Sequence, residues 1–326
     1  YVACGLHHFE VIFILNRHCP LYGLQSKKQL AEILHITDKR LLKGKMQDEI
    51  NIYIATESKE RLIEAPSWQI KKAQETIKNY LMKCDIPYYV FSGVKGKSYY
   101  DNAAIHKECK YMYKTDISAF FPNISRDLVY NFFRFDLGTS SDVAKILTDF
   151  CTVDISSALD TDESVRSFVA KKKIRKYNHL CTGSPASPVL SYLVNRKMFD
   201  EMYQIAQNNN LFFSIYMDDV FYSSKKWIAL PIRDQILKVL TKNGYNIASR
   251  KVVYYSEKDN KKVTGVIVSP NNQLKIPNKL KRKIVKGFAK GNLTIKEESL
   301  KGMLLAAKII EKNSFNGINT FINNKK

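Results

Sequence analysis

Three aspartates carry the chemistry that this sequence can do. Asp218 and Asp219 stand side by side between two aromatic, apolar runs, Leu211 to Tyr216 and Val220 to Ser224, and Asp116 closes the alternating run Tyr111-Met112-Tyr113-Lys114-Thr115-Asp116. Adjacent carboxylates repel unless a cation or a proton lies between them, so a pair set in an apolar frame has to be neutralised. If the three share one antiparallel sheet they make an oxygen-rich cluster, and hard oxygen donors select Mg²⁺ over a soft metal. Two such ions about 3.5–4 Å apart activate a hydroxyl nucleophile and stabilise a leaving pyrophosphate in an in-line displacement. Transition-metal chemistry has no comparable support, because the six histidines form no HExxH and the six cysteines (Cys4, Cys19, Cys84, Cys109, Cys151, Cys181) form no CxxC pair. The cysteines read as small buried hydrophobes, reduced thiols of a cytoplasmic protein.

The rest of the chain has the opposite sign. Its 326 residues hold 52 Lys+Arg against 31 Asp+Glu, a net charge of +21. Thirteen of those basic residues, against three acidic ones, fall between Asn271 and Lys326. An excess of this size attracts a polyanion, and its spread along the whole chain favours nucleic acid over the single basic amphipathic helix of a membrane-surface protein. With 45% hydrophobic residues the chain can bury a core, which excludes disorder. No apolar run approaches the roughly 20 residues of a membrane span, and no secretory leader pattern is present. The sequence opens on Tyr1 rather than Met, as a trimmed chain would.

Periodicity gives the elements that must position the aspartates. Ser26 to Lys45 reads as two short helices, with Leu30, Ile33 and Leu34 on one face and Leu41 and Leu42 after the cap residues Thr37 and Asp38. Asn51 to Ile63 reads as a hairpin around Glu57 to Glu60, stopped by Pro66, and Trp68 to Lys83 as a helix. The loop Ser92 to Lys97 has the glycines and lysines of a phosphate cradle but lacks GKS/T and GxGxxG. A helix is expected around Asp101 to Cys109, then the Asp116 strand, then helices at Asp127 to Phe133 and Ser140 to Cys151. The polar stretch up to Lys176 shows no clear period. Thr182-Gly183-Ser184-Pro185-Ala186-Ser187-Pro188 is a turn into one long helix, Val189 to Gln207. A hairpin with two carboxylates at its tip follows, then a helix from Pro231 to Asn243, a strand pair near Lys251 to Tyr255 and Lys262 to Val268, and a basic helical end.

Several of these segments together resemble a known family. Tyr216-Met217-Asp218-Asp219 is similar to the YxDD box of reverse transcriptases, Asp116-Ile117-Ser118-Ala119-Phe120-Phe121 to their first palm motif, and Thr182 to Pro188 to their (Q/T)G(A/S)P(x)SP box. Asn102-Ala103-Ala104-Ile105-His106 and Val263-Thr264-Gly265 resemble the NAxxH and VTG elements of bacterial retron reverse transcriptases, and all five occur in the family's order. The resemblance implies an α+β right-hand polymerase: an N-terminal helical segment over 1–50, fingers over 51–110, palm over 111–155 and 189–269 with a connection at 156–188, and a basic helical thumb over 270–326. It implies two Mg²⁺ ions at Asp116, Ile117, Asp218 and Asp219, with Asp219 a second-rank ligand near the primer end. Nucleotide contacts would come from Lys59, Arg61, Gly183, Pro185 and Phe121, the last as a steric gate against a 2′-hydroxyl. Primer, template or RNA contacts would come from Asn102, His106, Tyr216, Met217, Lys251, Val263, Thr264 and Gly265. The implied partners are a cognate structured non-coding RNA (msr-msd), its RNA–DNA product, dNTPs and an effector protein of an anti-phage defence system in the bacterial cytoplasm, with no membrane. Two positions depart from the pattern: Thr182 stands where many relatives have Gln, and Met217 where Ala is common. A group II intron-like or abortive-infection reverse transcriptase, or a non-catalytic RNA-binding scaffold, would share part of this pattern.

Overall fold

The computed structural model describes residues 16–38, 40–43, 46–56, 60–289, 292–318 and 320. Strands in chain order are β1 (Ile50–Ala55), β2 (Arg61–Pro66), β3 (Tyr111–Asp116), β4 (Thr152–Asp154), β5 (Asn178–Leu180), β6 (Phe212–Tyr216), β7 (Asp219–Ser224), β8 (Val253–Tyr255), β9 (Lys261–Val263), β10 (Val266–Val268), β11 (Leu274–Lys275), β12 (Phe288–Ala289) and β13 (Asn292–Leu293). The chain divides into two compact units, Tyr1–Lys95 with Ile117–Met202 and Lys238–Ile247, and Gly96–Asp116 with Tyr203–Leu237 and Ala248–Lys326.

In the first unit β1 and β2 form the expected antiparallel hairpin, with Ile50 opposite Pro66 and Ala55 opposite Arg61. Strand alternation sends Leu62, Glu64 and Pro66 inward and Arg61 outward. The helix Trp68–Leu81 begins because Ser67 accepts a hydrogen bond from Ile70 N, and it buries Ile70, Ala73, Ile77 and Leu81 at helical spacing. The polar stretch before Lys176 is more ordered than its composition suggests. It holds β4, a short helix Ser156–Thr161 and a helix Glu163–Lys172, the last capped by Asp162 and ending at Lys173 with φ 55°. The three buried residues of that helix, Val165, Phe168 and Val169, pack with Ile50, Leu62, Val153 and Ile155, and a stripe that short gives little periodic signal.

The long helix expected from Val189 to Gln207 is two helices, Ser187–Val194 and Arg196–Asn208. Asn195 separates them, with its Nδ2 donating to Ser191 O at 2.9 Å and its Oδ1 accepting from Tyr245 Oη at 2.6 Å. A short amide side chain that bonds its own backbone competes with helix continuation. The glycine loop also departs from its composition. At Gly93, φ is 67° and an added Cβ would lie 3.0 Å from Val189 N, so this glycine serves a close backbone approach.

The second unit is built on a four-stranded antiparallel sheet of order β6-β7-β3-β8. Met112 and Phe221, on one face of this sheet, cluster with Ala103, and the cluster continues into Val263, Val266, Val268, Ile284, Leu300, Leu304 and Ala307. Helices Asn278–Gly287 and Glu297–Ile310 supply the last four of these. The strand pair expected after Lys251 does not form as such: β8 joins β3, and β9 pairs with β10 instead. Among the described residues no helix is long and apolar enough to cross a membrane.

Candidate active site

The β3–β7 ladder sets Asp116 directly opposite Asp219, and Tyr216 pairs with Asp219 across the β6–β7 hairpin. The hairpin tip therefore holds one carboxylate, not two: Met217 and Asp218 form a two-residue turn, and Asp219 is the first residue of β7. Met217 takes φ 54°, a left-handed conformation that hairpin turns of this length require and that non-glycine residues adopt at a cost of about 1 kcal/mol or more.

Facing residues of an antiparallel pair project from the same side of the sheet, where like charges destabilise. Two lysines offset this. Lys251 Nζ lies 2.8 and 2.7 Å from the two carboxylate oxygens of Asp116, and Lys114 Nζ lies 2.6 Å from Asp219 Oδ1. Lys114 also sits 5.0 Å over the Phe221 ring. Burial pushes the Asp218 carboxyl up to about 6, with the charges of Asp116 and Asp219 adding to it. Burial likewise raises Asp116, opposed by its bonds to Lys251 and supported by the charge of Asp219. Burial disfavours the Lys251 ammonium, yet its bonds and attraction to Asp116 outweigh this and hold it above its ordinary value.

Among the described residues no group of three His, Cys, Asp or Glu side chains is placed to hold a metal ion; Lys251 spans Asp116 and Lys114 takes Asp219. The donor set nevertheless suits a divalent cation. It is all oxygen, its members repel one another, and the Lys251 side chain is 57% exposed, so it can turn away to solvent. Ile117 is 1% exposed and bridged to Ile247, so its side chain brings no donor to the cluster and only its backbone carbonyl could reach a metal. Lys251, expected on nucleic acid, is seated on Asp116 instead. Lys114 was not singled out by sequence reasoning, although alternation puts it on the Asp116 face two residues earlier.

The positions expected to meet the nucleotide lie in the first unit, apart from Lys59, which is outside the described residues. Arg61 is exposed at the start of β2. Of the two adjacent phenylalanines, Phe120 is core, 4% exposed and packed on Phe199 and Tyr245, whereas Phe121 is half-buried at the head of a short turn, Phe121–Asn123. Gly183 and Pro185 follow β5, and Gly183 is held so close to β2 that an added Cβ would lie 1.9 Å from Glu64 O.

The positions expected to meet RNA separate into two sets. Tyr216 and Met217 are half-buried at the hairpin tip. Asn102, His106 and Val263 are each 0% exposed, so in this structure their side chains are engaged inside the protein. Asn102 Nδ2 donates to Thr264 Oγ1 at 3.3 Å, and Thr264 Oγ1 donates to Tyr99 O at 2.9 Å. Thr264 and Gly265, with φ 43° and 91°, make the two-residue turn between β9 and β10, the conformation that a type I′ turn needs. His106 bridges β6 and β7 on the sheet face that also carries Phe221 and Asp219, its Nδ1 2.6 Å from Ser223 Oγ and its Nε2 2.8 Å from Ser214 Oγ. A neutral imidazole can donate at one nitrogen and accept at the other, satisfying both hydroxyls.

Burial lowers the His106 pKa from 6.5 to about 3, so the folded protein keeps it neutral while the unfolded chain takes up a proton below pH 6.5. Stability from this group is full above pH 6.5 and falls as pH drops toward 3, by up to about 1.4 kcal/mol per pH unit. Melting temperatures of wild type and His106→Gln between pH 7.5 and 5 are expected to show a steeper acid loss in wild type. Equal slopes would contradict the buried neutral state.

Comparison with known proteins gives these motifs a family. The profile described as Reverse transcriptase (RNA-dependent DNA polymerase) matches residues 44–268, more than half the chain. The chain belongs to the reverse transcriptase family. This reverse transcriptase is 28% identical to the retron Ec83 reverse transcriptase of Escherichia coli, over 77% of this chain and 79% of that protein. It is 24% identical to the retron Ec86 reverse transcriptase of Escherichia coli, over 65% of this chain and 60% of that one. Against the retron Se72 reverse transcriptase of Salmonella heidelberg (strain 579083-10) the identity is 26%, over 76% and 62%. The α+β architecture with its antiparallel sheet is that of an RNA-directed DNA polymerase, a family that generally works with divalent metal ions.

Proposed function

We propose that this reverse transcriptase is the polymerase of a retron, copying a cognate structured non-coding RNA into DNA from a guanosine 2′-hydroxyl and leaving a branched RNA–DNA product. The observation that carries the catalytic part is the register of Asp116 against Asp219 with Asp218 in the adjoining turn. Support for the retron part comes from Asn102 and Thr264, which join the NAxxH and VTG elements by a hydrogen bond although 162 residues separate them.

Asp116 and Asp218 are the residues suited to hold two Mg²⁺, with Asp219 beside them. Bound there, the ions would activate the attacking hydroxyl and neutralise charge on the leaving pyrophosphate. Lys251 and Lys114 compensate the carboxylates until then, and Lys251 must release Asp116 for the site to load. Arg61 would grip the triphosphate through its planar fork of donors, Phe121 would exclude a 2′-hydroxyl, and Gly183 and Pro185 would floor the new base pair. Tyr216 and Met217 would pack on primer or template, and the basic helices after residue 270 would track the duplex backbone. In the right-hand scheme these last helices form the thumb, β3 and β6 to β8 the palm, and β1 and β2 the fingers. The setting is the bacterial cytoplasm, beside an effector protein of a defence system.

Sequencing of nucleic acid that copurifies with the protein tests this reading. DNA joined 2′–5′ to one guanosine of a single RNA species is expected. Linear cDNA alone, from many templates, would contradict the retron assignment.

A further inference from the structure

Glu64 is a carboxylate in a row of β2 that alternation reserves for apolar side chains, between Leu62 and Pro66, and it is 0% exposed. Leu62, on the same face of β2, belongs to an apolar cluster with Val153, Val165 and Phe168. A buried charge persists only where its oxygens are bonded, and here each oxygen has a partner. Oε1 lies 2.7 Å from His179 Nε2, and Oε2 accepts from Thr182 N at 2.6 Å. His179, on β5, is also 0% exposed, and its Nδ1 donates to Lys176 O at 2.5 Å. A carbonyl only accepts, so the Nδ1 proton is fixed, and the contact between Nε2 and Oε1 needs one further proton shared by the pair. The backbone of Glu64 is engaged as well, accepting from Cys181 Sγ at 3.7 Å and leaving no room for a side chain at Gly183.

We infer that Glu64 and His179 are a buried positioning pair that locks the Thr182–Pro185 turn onto β2, and so holds Gly183 and Pro185 in register with Arg61 for binding the incoming nucleotide. The inference rests on the nucleotide-site reading of Arg61, Gly183 and Pro185. Neither residue touches substrate. Both act through the strand and the turn, Glu64 three residues along β2 from Arg61, and His179 three residues before Thr182.

The test measures KM for dNTP, kcat and melting temperature on a homopolymer template. Glu64→Leu fills the space but strands Thr182 N–H and His179, and it is expected to raise KM for dNTP about tenfold with kcat within about threefold of wild type. Glu64→Gln can accept from Thr182 N–H and donate to a neutral Nε2, and it is expected to stay within about threefold of wild type in KM. The double variant Glu64→Leu/His179→Phe removes both polar partners and is expected to recover melting temperature while KM stays raised, which keeps the pair testable if the single variant does not fold. Val165→Ala, in the apolar cluster that includes Leu62 of β2, is expected to lower melting temperature with KM unchanged. If KM instead tracks melting temperature across the set, or Glu64→Leu leaves KM unchanged while Arg61→Ala raises it, the pair is only structural. An unchanged KM in Arg61→Ala would overturn the nucleotide-site reading beneath it.

Discussion

Asp218→Asn is expected to lower dNTP incorporation by about three orders of magnitude or more, while RNA binding stays within about twofold of wild type. Asn keeps the size and turn preference of Asp but loses the anionic oxygens that a divalent cation needs. The variant should also be the more stable protein without metal. Burial and the charges of Asp116 and Asp219 hold Asp218 up at about 6, above the 3.8 of an ordinary Asp, so at neutral pH the folded state carries an ionised group it disfavours. The sign is the reverse of a salt-bridged carboxylate: this group costs stability increasingly as pH rises from 3.8 to 6 and fully above that. Its removal is expected to raise stability at pH 7.5 by about 1–2 kcal/mol after allowance for partial exposure. Mg²⁺ should then raise the melting temperature of wild type more than that of Asp218→Asn. Lower stability in the variant, or retained incorporation, would count against the arrangement. A site that is strained when empty and relieved by its cation is the usual trade of stability for activity.

Gly183→Ala is expected to be the most damaging glycine substitution among those described. The added Cβ would meet Glu64 O at 1.9 Å, Glu64 C at 3.0 Å and Pro66 Cδ at 3.1 Å, and two of the three atoms are backbone of a paired strand that cannot yield. Displacing the turn or the strand is expected to cost about 2–4 kcal/mol and to raise KM for dNTP. Gly302→Ala provides the contrast. It lies within the helix Glu297–Ile310 with nothing inside 4 Å of an added Cβ, so it is expected to be neutral or to stabilise by about 0.5–1 kcal/mol. Chemical denaturation of both variants checks the pair, and equal stability would show that the turn does not bear on β2 as closely as its geometry indicates.

The four-stranded sheet was legible because strand periodicity and the carboxylate-bearing motifs coincide there. Tyr111–Asp116 has the bounds that alternation gives, and the aromatic runs flanking Asp218 can only be strands. What sequence could not supply was pairing. Nothing local says that Asp219 faces Asp116, that β8 joins β3, or that Lys251 reaches a carboxylate 135 residues away. The same limit explains His106 and Asn102, whose motif points to a shared role without saying that the role is to bond Ser214, Ser223 and Thr264 inside the protein. Glu64 is the hardest case. Nothing in the sequence sets it apart from other surface-type charged residues, and only the meeting of β2 with β5 and the Thr182 turn gives it a partner. The helix break at Asn195 was nearer to hand, since an Asn in mid-helix is a residue able to bond its own backbone.

The most direct test is incorporation of labelled dTTP by the purified protein on poly(rA) primed with oligo(dT), with Mg²⁺ and with excess EDTA. RNA-templated polymerisation centred on Asp116, Asp218 and Asp219 predicts product that lengthens with time in Mg²⁺, stops on chelation, and is absent from Asp218→Asn. Incorporation that persists in EDTA or in that variant, or none from a wild type that binds the template, would contradict it.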